Sequence, residues 1–449
     1  MYKYEQIAKI IEKQIINQKY KQGERLPSIY QLSKQYHCSK ATIIKCYETL
    51  EKKHLIYVKK QSGYYVADNY FKTEQFCDGY ELNTGNPIVS ATSLIDAKHC
   101  LAIAIDQYSE SSLNMSLEGV QSLRSILPAF LEQFAIYTKV DNVYLIQGIT
   151  QMLSFFSTAQ FPNHKKTILI EEPTYSYFVD FLHLINIPVL TIKRDEKGID
   201  IKHLEYLFKE QDIRFFYTIP RNHNPLGTVL DNYTCKEIAR LALKYDVYII
   251  EDDYFGHCSF TPRFLPIFYY MGGKNCIYLT SFSKTIPYIR IGICVIDDAL
   301  QEVFDKLMQQ SYYFSYQLPS LISQATFESY LKSSLYQKQT QSIKNLLQKN
   351  YQIIKNITKS WDQNIIQVIS DYSGYYFSAL INDKIDIIKL QSELLKRNIK
   401  IKDAKKHFYH LDTDLHMIRF SLARIQPKQL KEALLIFYQI LIEQSQFFE

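Results

Sequence analysis

Thr280-Ser281-Phe282-Ser283-Lys284-Thr285-Ile286-Pro287-Tyr288-Ile289-Arg290-Ile291-Gly292 is the stretch on which the reading of this 449-residue chain turns. It follows the apolar run Cys276 to Leu279, which reads as a buried strand, so Lys284 belongs on the loop leaving that strand's carboxyl end. A lysine in such a place can condense with an aldehyde. Ser281, Ser283 and Arg290 flank it at a spacing that suits a single phosphate. The bland alternative is a surface lysine with serines nearby, and the rest of the chain has to decide.

Working outward, apolar, β-branched or aromatic runs alternate with helical patterns: Val143 to Ile146, Thr167 to Ile170, Phe215 to Ile219, Val247 to Ile250, Cys276 to Leu279 and Ile291 to Val295. Such alternation predicts an α/β body built on a mainly parallel sheet covered on both faces. Ligands of such sheets bind at the carboxyl ends of the strands, and the chemically loaded stretches fall there. Gln147-Gly148-Ile149-Thr150 opens a helix, where free N–H groups and the Thr150 hydroxyl favour an anion. Tyr175, after Glu171-Glu172-Pro173-Thr174, can lie flat on an aromatic ring, although core packing is the plain reading in a chain with 37 tyrosines. Asn224, in Asn224-Pro225-Leu226-Gly227, can donate to a ring oxygen. Glu251-Asp252-Asp253-Tyr254 offers a carboxylate, Asp252, for a pyridine nitrogen, with Tyr254 near the same ring's oxygen. Arg419 stands within the alternating run Met417 to Leu422. It calls for a carboxylate, from an amino acid or from an internal salt bridge. An aldehyde, a phosphate and a pyridine ring together are pyridoxal 5'-phosphate (PLP).

Composition separates the first 66 residues from the remainder. They hold 13 Lys/Arg against 5 Glu, a balance of +8, whereas the whole chain carries only +6 and the remainder is therefore near neutral. A basic head points to a polyanion, although solvated lysines are common. Ile7, Ile10, Ile11 and Ile15 form an apolar stripe on a first helix that Gly23 ends. A second short helix starts at Leu26-Pro27-Ser28, and Ser39 caps a third from Lys40 to about Lys53. Leu55 to Lys59 and Tyr64 to Val66, separated by Lys60-Gln61-Ser62-Gly63, read as a hairpin. This is the layout of a winged helix-turn-helix for double-stranded DNA. Candidate contacts are Ser39, Lys40, Thr42 and Lys45 on the third helix and Lys59, Lys60 and Gln61 on the wing.

The eight cysteines are scattered without C-x-x-C pairs, so neither a zinc site nor a disulfide framework is expected, and no metal. No apolar run is long enough to span a bilayer and the first residues lack a signal-peptide pattern, so a cytoplasmic protein without membrane contact is expected. The division read from the sequence is a DNA-binding domain over 1–67, a linker over 68–80 and an effector domain over 81–449.

Gly23, Leu26-Pro27-Ser28, Leu32, Ser39-Lys40-x-Thr42, Tyr47, Leu50 and Ser62-Gly63-Tyr64-Tyr65-Val66 resemble the GntR family of bacterial regulators. Tyr30 departs from it: the family usually has an arginine there, often a DNA contact. Gly85-Asn86-Pro87, Gly148-Ile149-Thr150, Glu172-Pro173-x-Tyr175, Asn224-Pro225-x-Gly227, Asp252-x-Tyr254, Ser281-x-Ser283-Lys284, Arg290 and Arg419 resemble a fold-type I PLP aminotransferase over about 81–449. The interval from Lys284 to Arg290 is one residue shorter than the usual pattern, and Gln147 replaces the usual serine before Gly148.

Carried over by position, the resemblance implies that Lys284 bonds the cofactor and that Asp252 pairs the ring nitrogen. It places Asn224 and Tyr254 on the phenolic oxygen and stacks Tyr175 on the ring. Ile149, Thr150, Ser281, Ser283 and Arg290 take the phosphate, while Arg419 and Gly85 face the effector. Tyr108 resembles the tyrosine that reaches the phosphate from a second subunit, which implies a homodimer. The two halves together resemble the MocR regulators, whose body senses an amino compound or the B6 vitamer and whose paired heads respond on DNA. A working aminotransferase with a DNA-binding head is the alternative reading. A body retained only for dimerisation is a third, and the intact Lys284, Asp252 and Tyr254 oppose it.

Overall fold

The computed structural model describes residues 2–16, 19–20, 23–52, 55–59, 62–67, 79–86, 91–107, 116–260, 263–286, 288–315, 318–410 and 415–445. The chain divides into two compact units, Met1–Asp78 and Gly79–Glu449.

In the first unit three helices precede a hairpin: α1 (Lys3–Ile16), α2 (Ile29–Gln35), α3 (Lys40–Lys52), β1 (Ile56–Lys59) and β2 (Gly63–Val66). The Ser28 hydroxyl accepts the Gln31 N–H while the Gln31 side chain accepts the Ser28 N–H, a reciprocal cap that fixes where α2 begins. Ile43, Cys46, Tyr47 and Leu50 recur at helical spacing, and α3 buries all four against Ile7, Ile11, Ile15 and Leu32. Its other face, with Lys40, Ile44 and Lys45, stays exposed. Ile10 does not belong to the buried stripe expected of α1. It is 42 % exposed, because a position one residue before Ile11 lies about 100° around the helix. Helix α1 is described only as far as Ile16, short of Gly23.

The second unit is built on an eight-stranded sheet. Its strands are β4 (Val143–Ile146), β5 (Thr167–Glu172), β6 (Val189–Asp195), β7 (Gly198–Ile199), β8 (Ile213–Thr218), β9 (Tyr248–Asp252), β10 (Cys276–Ser281) and β11 (Gly292–Val295), in the order β4-β11-β10-β9-β8-β5-β6-β7. Strands β10, β9, β8, β5 and β6 are parallel. Strand β11 runs antiparallel to both neighbours, and β7 is an antiparallel edge. Successive residues feed opposite faces: Leu169, Phe216 and Ile249 pack into one core, while Ile168, Ile170, Phe215, Tyr217 and Ile250 pack into the other. Both faces are covered, so the strands read as continuous apolar runs rather than alternating ones.

Strand β3 (Tyr80–Glu81) precedes this sheet and pairs in parallel with β14 (Ile399–Lys400). A smaller antiparallel sheet contains β12 (Ile366–Ile369), β13 (Tyr376–Ile381), β15 (Lys402–Asp403) and β16 (Met417–Ser421), ordered β12-β13-β16-β15. It packs with helices Leu335–Thr358 and Pro427–Ser445 around a core of its own that includes Phe377, Phe420 and Phe437. No described helix is long and apolar enough to cross a membrane, and no group of three or more metal-ligating side chains occurs among the described residues.

Candidate functional site

The carboxyl ends of β4, β5, β8, β9 and β10 share one edge of the large sheet, where a cavity of about 550 Å³ opens. Gly85, Ile149, Thr150, Tyr175, Asn224, Asp252, Tyr254, Ser281, Ser283, Lys284, Arg290 and Arg419 all line it, although they come from positions more than 330 residues apart. Tyr108 lies outside the described residues.

Lys284 stands on the turn after β10, and its ammonium donates to the Gly85 carbonyl at 2.6 Å. Burial, then the nearby Arg290 and Arg419 guanidinium groups, lower its pKa to about 8. No carboxylate pairs with it among the described residues. A Cβ on Gly85 would stand 2.0 Å from the Tyr376 hydroxyl and 3.3 Å from the Lys284 amine, so any larger residue would have to displace the Tyr376 side chain.

Asp252 closes β9 and is buried. The Tyr217 hydroxyl donates to its Oδ2 at 2.7 Å and the Tyr254 N–H to its Oδ1 at 3.1 Å. Burial raises its pKa to about 7 against these two bonds, so this carboxylate lacks the cation that would stabilise its charge. The other two acids of the run are spent elsewhere. Glu251 accepts the Ile267 and Phe268 N–H groups at 3.1 and 2.8 Å, and Asp253 takes a bidentate pair from Arg221 at 2.7 and 2.5 Å. A run of three acids is therefore no solvated turn: all three are buried, and only Asp252 is turned to the cavity.

The Tyr254 hydroxyl donates to the Asn222 carbonyl at 2.9 Å, which brings its ring beside the Asn224 loop. Tyr175 and Thr150 place their hydroxyls 3.5 Å apart at the cavity wall, and burial raises the Tyr175 phenol to about 12. Ser281 and Ser283, which line the same cavity, have hydroxyls 3.0 Å apart. Arg290, exposed at the start of the segment leading into β11, has no hydrogen bond or ion pair to the described residues. Helix Ile149–Thr158 opens on the same cavity with no side-chain cap, and the N–H groups of its first turn have no intrahelical acceptor.

Arg419 is buried to 5 % exposure and makes no ion pair with the described residues. Its Nη2 donates to the Asn83 carbonyl at 2.5 Å and its Nη1 to Asn224 Oδ1 at 3.4 Å, while its Nε has no partner. The guanidinium lies 4.7 Å from the centre of the Tyr376 ring. The internal salt bridge weighed from sequence is absent among the described residues.

These residues fit PLP. An amine of lowered pKa suits an aldehyde, an uncompensated buried carboxylate suits a protonated ring nitrogen, and uncapped helical N–H groups with two serines and an arginine suit a phosphate. Sequence reasoning passes over Tyr217, Tyr376 and Lys402. Tyr217 reads as one more aromatic in the apolar run of β8, and Lys402 sits in a two-residue strand too short to show a period.

In the first unit the Ser39 hydroxyl accepts the Thr42 N–H at 3.1 Å, so it caps α3. Lys40 and Lys34 lie 5.6 and 4.6 Å from the Tyr30 ring centre, Lys45 lies 5.2 Å from that of Tyr4, and Lys59 4.6 Å from that of Tyr65. Lys60 and Gln61 lie outside the described residues.

Residues 3–66 match the gntR family of bacterial regulatory proteins, and residues 78–436 match the aminotransferase class I and II family. An uncharacterized HTH-type transcriptional regulator of Bacillus subtilis, YcxD, is 36% identical over 77% of this chain and 78% of its own. The HTH-type transcriptional regulator NorG of Staphylococcus aureus is 26% identical over 92% of this chain and 98% of its own. Among solved structures, the α-aminoadipate aminotransferase LysN of Thermus thermophilus, complexed with N-(5'-phosphopyridoxyl)-L-leucine, superposes with a TM-score of 0.72 at 19% identity, covering 82% of this chain and 93% of LysN. An archaeal alanine:glyoxylate aminotransferase gives 0.73 at 19% identity over 90% and 95%. These two likenesses are of fold. The chain belongs to the aminotransferase class I and II family and carries a GntR-family head, which makes it a MocR-type, PLP-dependent DNA-binding transcriptional regulator.

Proposed function

We propose that the second unit is a sensor: an amino compound, or the B6 vitamer itself, is recognised in the Lys284 cavity and alters how the DNA-binding heads hold their operator. One observation carries this reading. Lys284, Asp252 and Arg419 line a single cavity, and none has an ionic partner among the described residues. Bound there, PLP supplies an aldehyde that captures primary amines and a ring that withdraws electrons.

In this reading Lys284 holds the aldehyde carbon and, near its pKa of about 8, keeps a useful share of neutral amine at physiological pH. Asp252 keeps a proton on the ring nitrogen. Asn224 and Tyr254 orient the ring through its phenolic oxygen, and Tyr175 covers one face. Ile149, Thr150, Ser281, Ser283 and Arg290 anchor the phosphate. Arg419, with Gly85 beside it, receives the effector's carboxylate. Residues 1–67 serve as the DNA-binding domain, 68–80 as linker and 81–449 as effector domain. Two copies act together, with Tyr108 of each reaching the other's phosphate. An effector shifts the heads only by binding one arrangement of the dimer more tightly than another.

Two measurements test this. Wild-type protein given PLP should show a visible absorbance band that Lys284→Ala lacks, and its affinity for the promoter it controls should change with PLP and with a panel of amino compounds. A Lys284→Ala protein that responds on DNA as the wild type does would overturn the sensor. The complete set of cavity groups also favours a second reading, residual aminotransferase activity, for which turnover of amino and keto acid pairs is the readout.

A further inference from the structure

We propose that the effector carries two anionic groups, held side by side by Arg419 and Lys402; this rests on the sensor reading and narrows its ligand to an acidic amino compound. Strands β15 and β16 are antiparallel, and their register sets Lys402 directly opposite Arg419. Directly opposed residues send their side chains to the same face, with Cβ atoms about 4.5–5.5 Å apart. Both line the Lys284 cavity.

Neither cation is neutralised. Arg419 spends two nitrogens on the Asn83 carbonyl and Asn224 and leaves Nε unpartnered. Lys402 is half-buried and has no hydrogen bond or ion pair with the described residues. Burial, then Arg419 and Lys406, push its pKa down, and Asp180 opposes this from beyond ion-pair distance. Like charges at opposed positions of an antiparallel pair work against folding, so two of them, unpaired at a cavity wall, mark a place prepared for anions.

Depth assigns the two charges. Arg419 is the inner cation, buried to 5 % exposure beside Asn224 and over the Tyr376 ring, where an α-carboxylate would stand next to the amine that meets the cofactor. Lys402 is less buried, where a distal acid would reach. A single carboxylate would satisfy only one of them fully.

The test uses full-length, PLP-loaded protein and probes without an amine, read by calorimetry. Glutarate should bind about tenfold tighter than butyrate. Lys402→Met should bring glutarate down to the butyrate level without moving butyrate, and Lys402→Arg should restore the preference. Glutarate binding no tighter than butyrate, including no binding of either, overturns the proposal. So does a Lys402→Met variant that weakens both probes alike, because Lys402 would then share one carboxylate or act only on the fold. A glutarate preference in a protein whose DNA affinity ignores L-glutamate would sink the sensor reading and leave the two-anion site standing.

Discussion

At the scale of single residues, the decisive fact is that a lysine ammonium has been placed where its charge is poorly tolerated. Burial, Arg290 and Arg419 bring Lys284 to about 8 from an ordinary 10.5. The lowered pKa means that the neutral amine, the form that attacks an aldehyde, becomes the majority species above pH 8 instead of above pH 10.5. At pH 7 roughly a tenth of the amine is neutral, against roughly one part in three thousand for an unperturbed lysine. The rate at which cofactor-free protein captures PLP should therefore rise about tenfold per pH unit up to about pH 8 and then level off. Arg290→Gln removes one of the positive charges and should move that plateau to higher pH. Stopped-flow absorbance across pH 6 to 10 reads both. A rate still climbing tenfold per unit at pH 10 would show that the amine is unperturbed.

At the scale of elements, the Asn224 loop shows how backbone geometry positions a site. Gly227 has a φ of +71°, and a Cβ on it would come 2.1 Å from the Tyr376 carbonyl of β13. The Gly227 N–H returns to the His223 carbonyl at 2.7 Å, and Ser378 of β13 donates to the Pro225 carbonyl at 2.9 Å, so the loop is clamped between the two sheets. Gly227→Ala should lose roughly 1–2 kcal/mol from the left-handed backbone alone and should in addition displace Asn224 from the cavity. Gly198→Ala is the control. Its φ is +102°, but the nearest atom to a Cβ is a Leu230 methyl at 3.4 Å, far from the cavity, so it carries backbone strain without the clash. Both variants should melt earlier, and only Gly227→Ala should bind PLP more weakly by fluorescence titration. Equal PLP affinity in the two would contradict a positioning role for the loop.

The same scale explains which features are legible in the sequence and which are not. Strands buried on both faces, such as β9 and β10, announce themselves as unbroken apolar runs, and the polar groups that follow them are forced to the ligand edge by the parallel topology. That is why Asp252, Ser281 and Lys284 can be picked out by pattern. Strand β6 cannot, since its alternating exposure mixes Lys193 and Asp195 into the run. The pairing of Lys402 with Arg419 is also hidden, because register between residues seventeen positions apart is set by tertiary packing and not by local pattern. In the head, Ile10 reads as core and is not, because four isoleucines at similar spacing do not by themselves distinguish a stripe from its margin.

At the scale of the whole molecule, a basic head of +8 on a near-neutral body ties function to ionic strength. Each lysine that neutralises a phosphate releases a counterion, so the logarithm of the DNA affinity falls linearly with the logarithm of salt concentration, with a slope of about −0.9 per phosphate contacted. Lys40 and Lys45 lie on the exposed face of α3, held over Tyr30 and Tyr4, and Tyr30 itself has no charge to offer a phosphate. If Lys40 contacts a phosphate, Lys40→Ala should weaken binding to specific and scrambled duplexes by similar factors and reduce the slope by about one. The proposed dimer brings two such heads to one operator. Scrambling one half-site should then leave one head bound through backbone contacts or not at all, and in the second case the slope should fall to about half. Titrations by fluorescence anisotropy from 50 to 300 mM salt, on the intact operator and on the half-scrambled one, separate the outcomes. An effector that releases one head should reproduce the half-slope on the intact operator. An effector that only shifts a pre-existing balance between two dimer arrangements should instead change the affinity by one factor at every salt concentration.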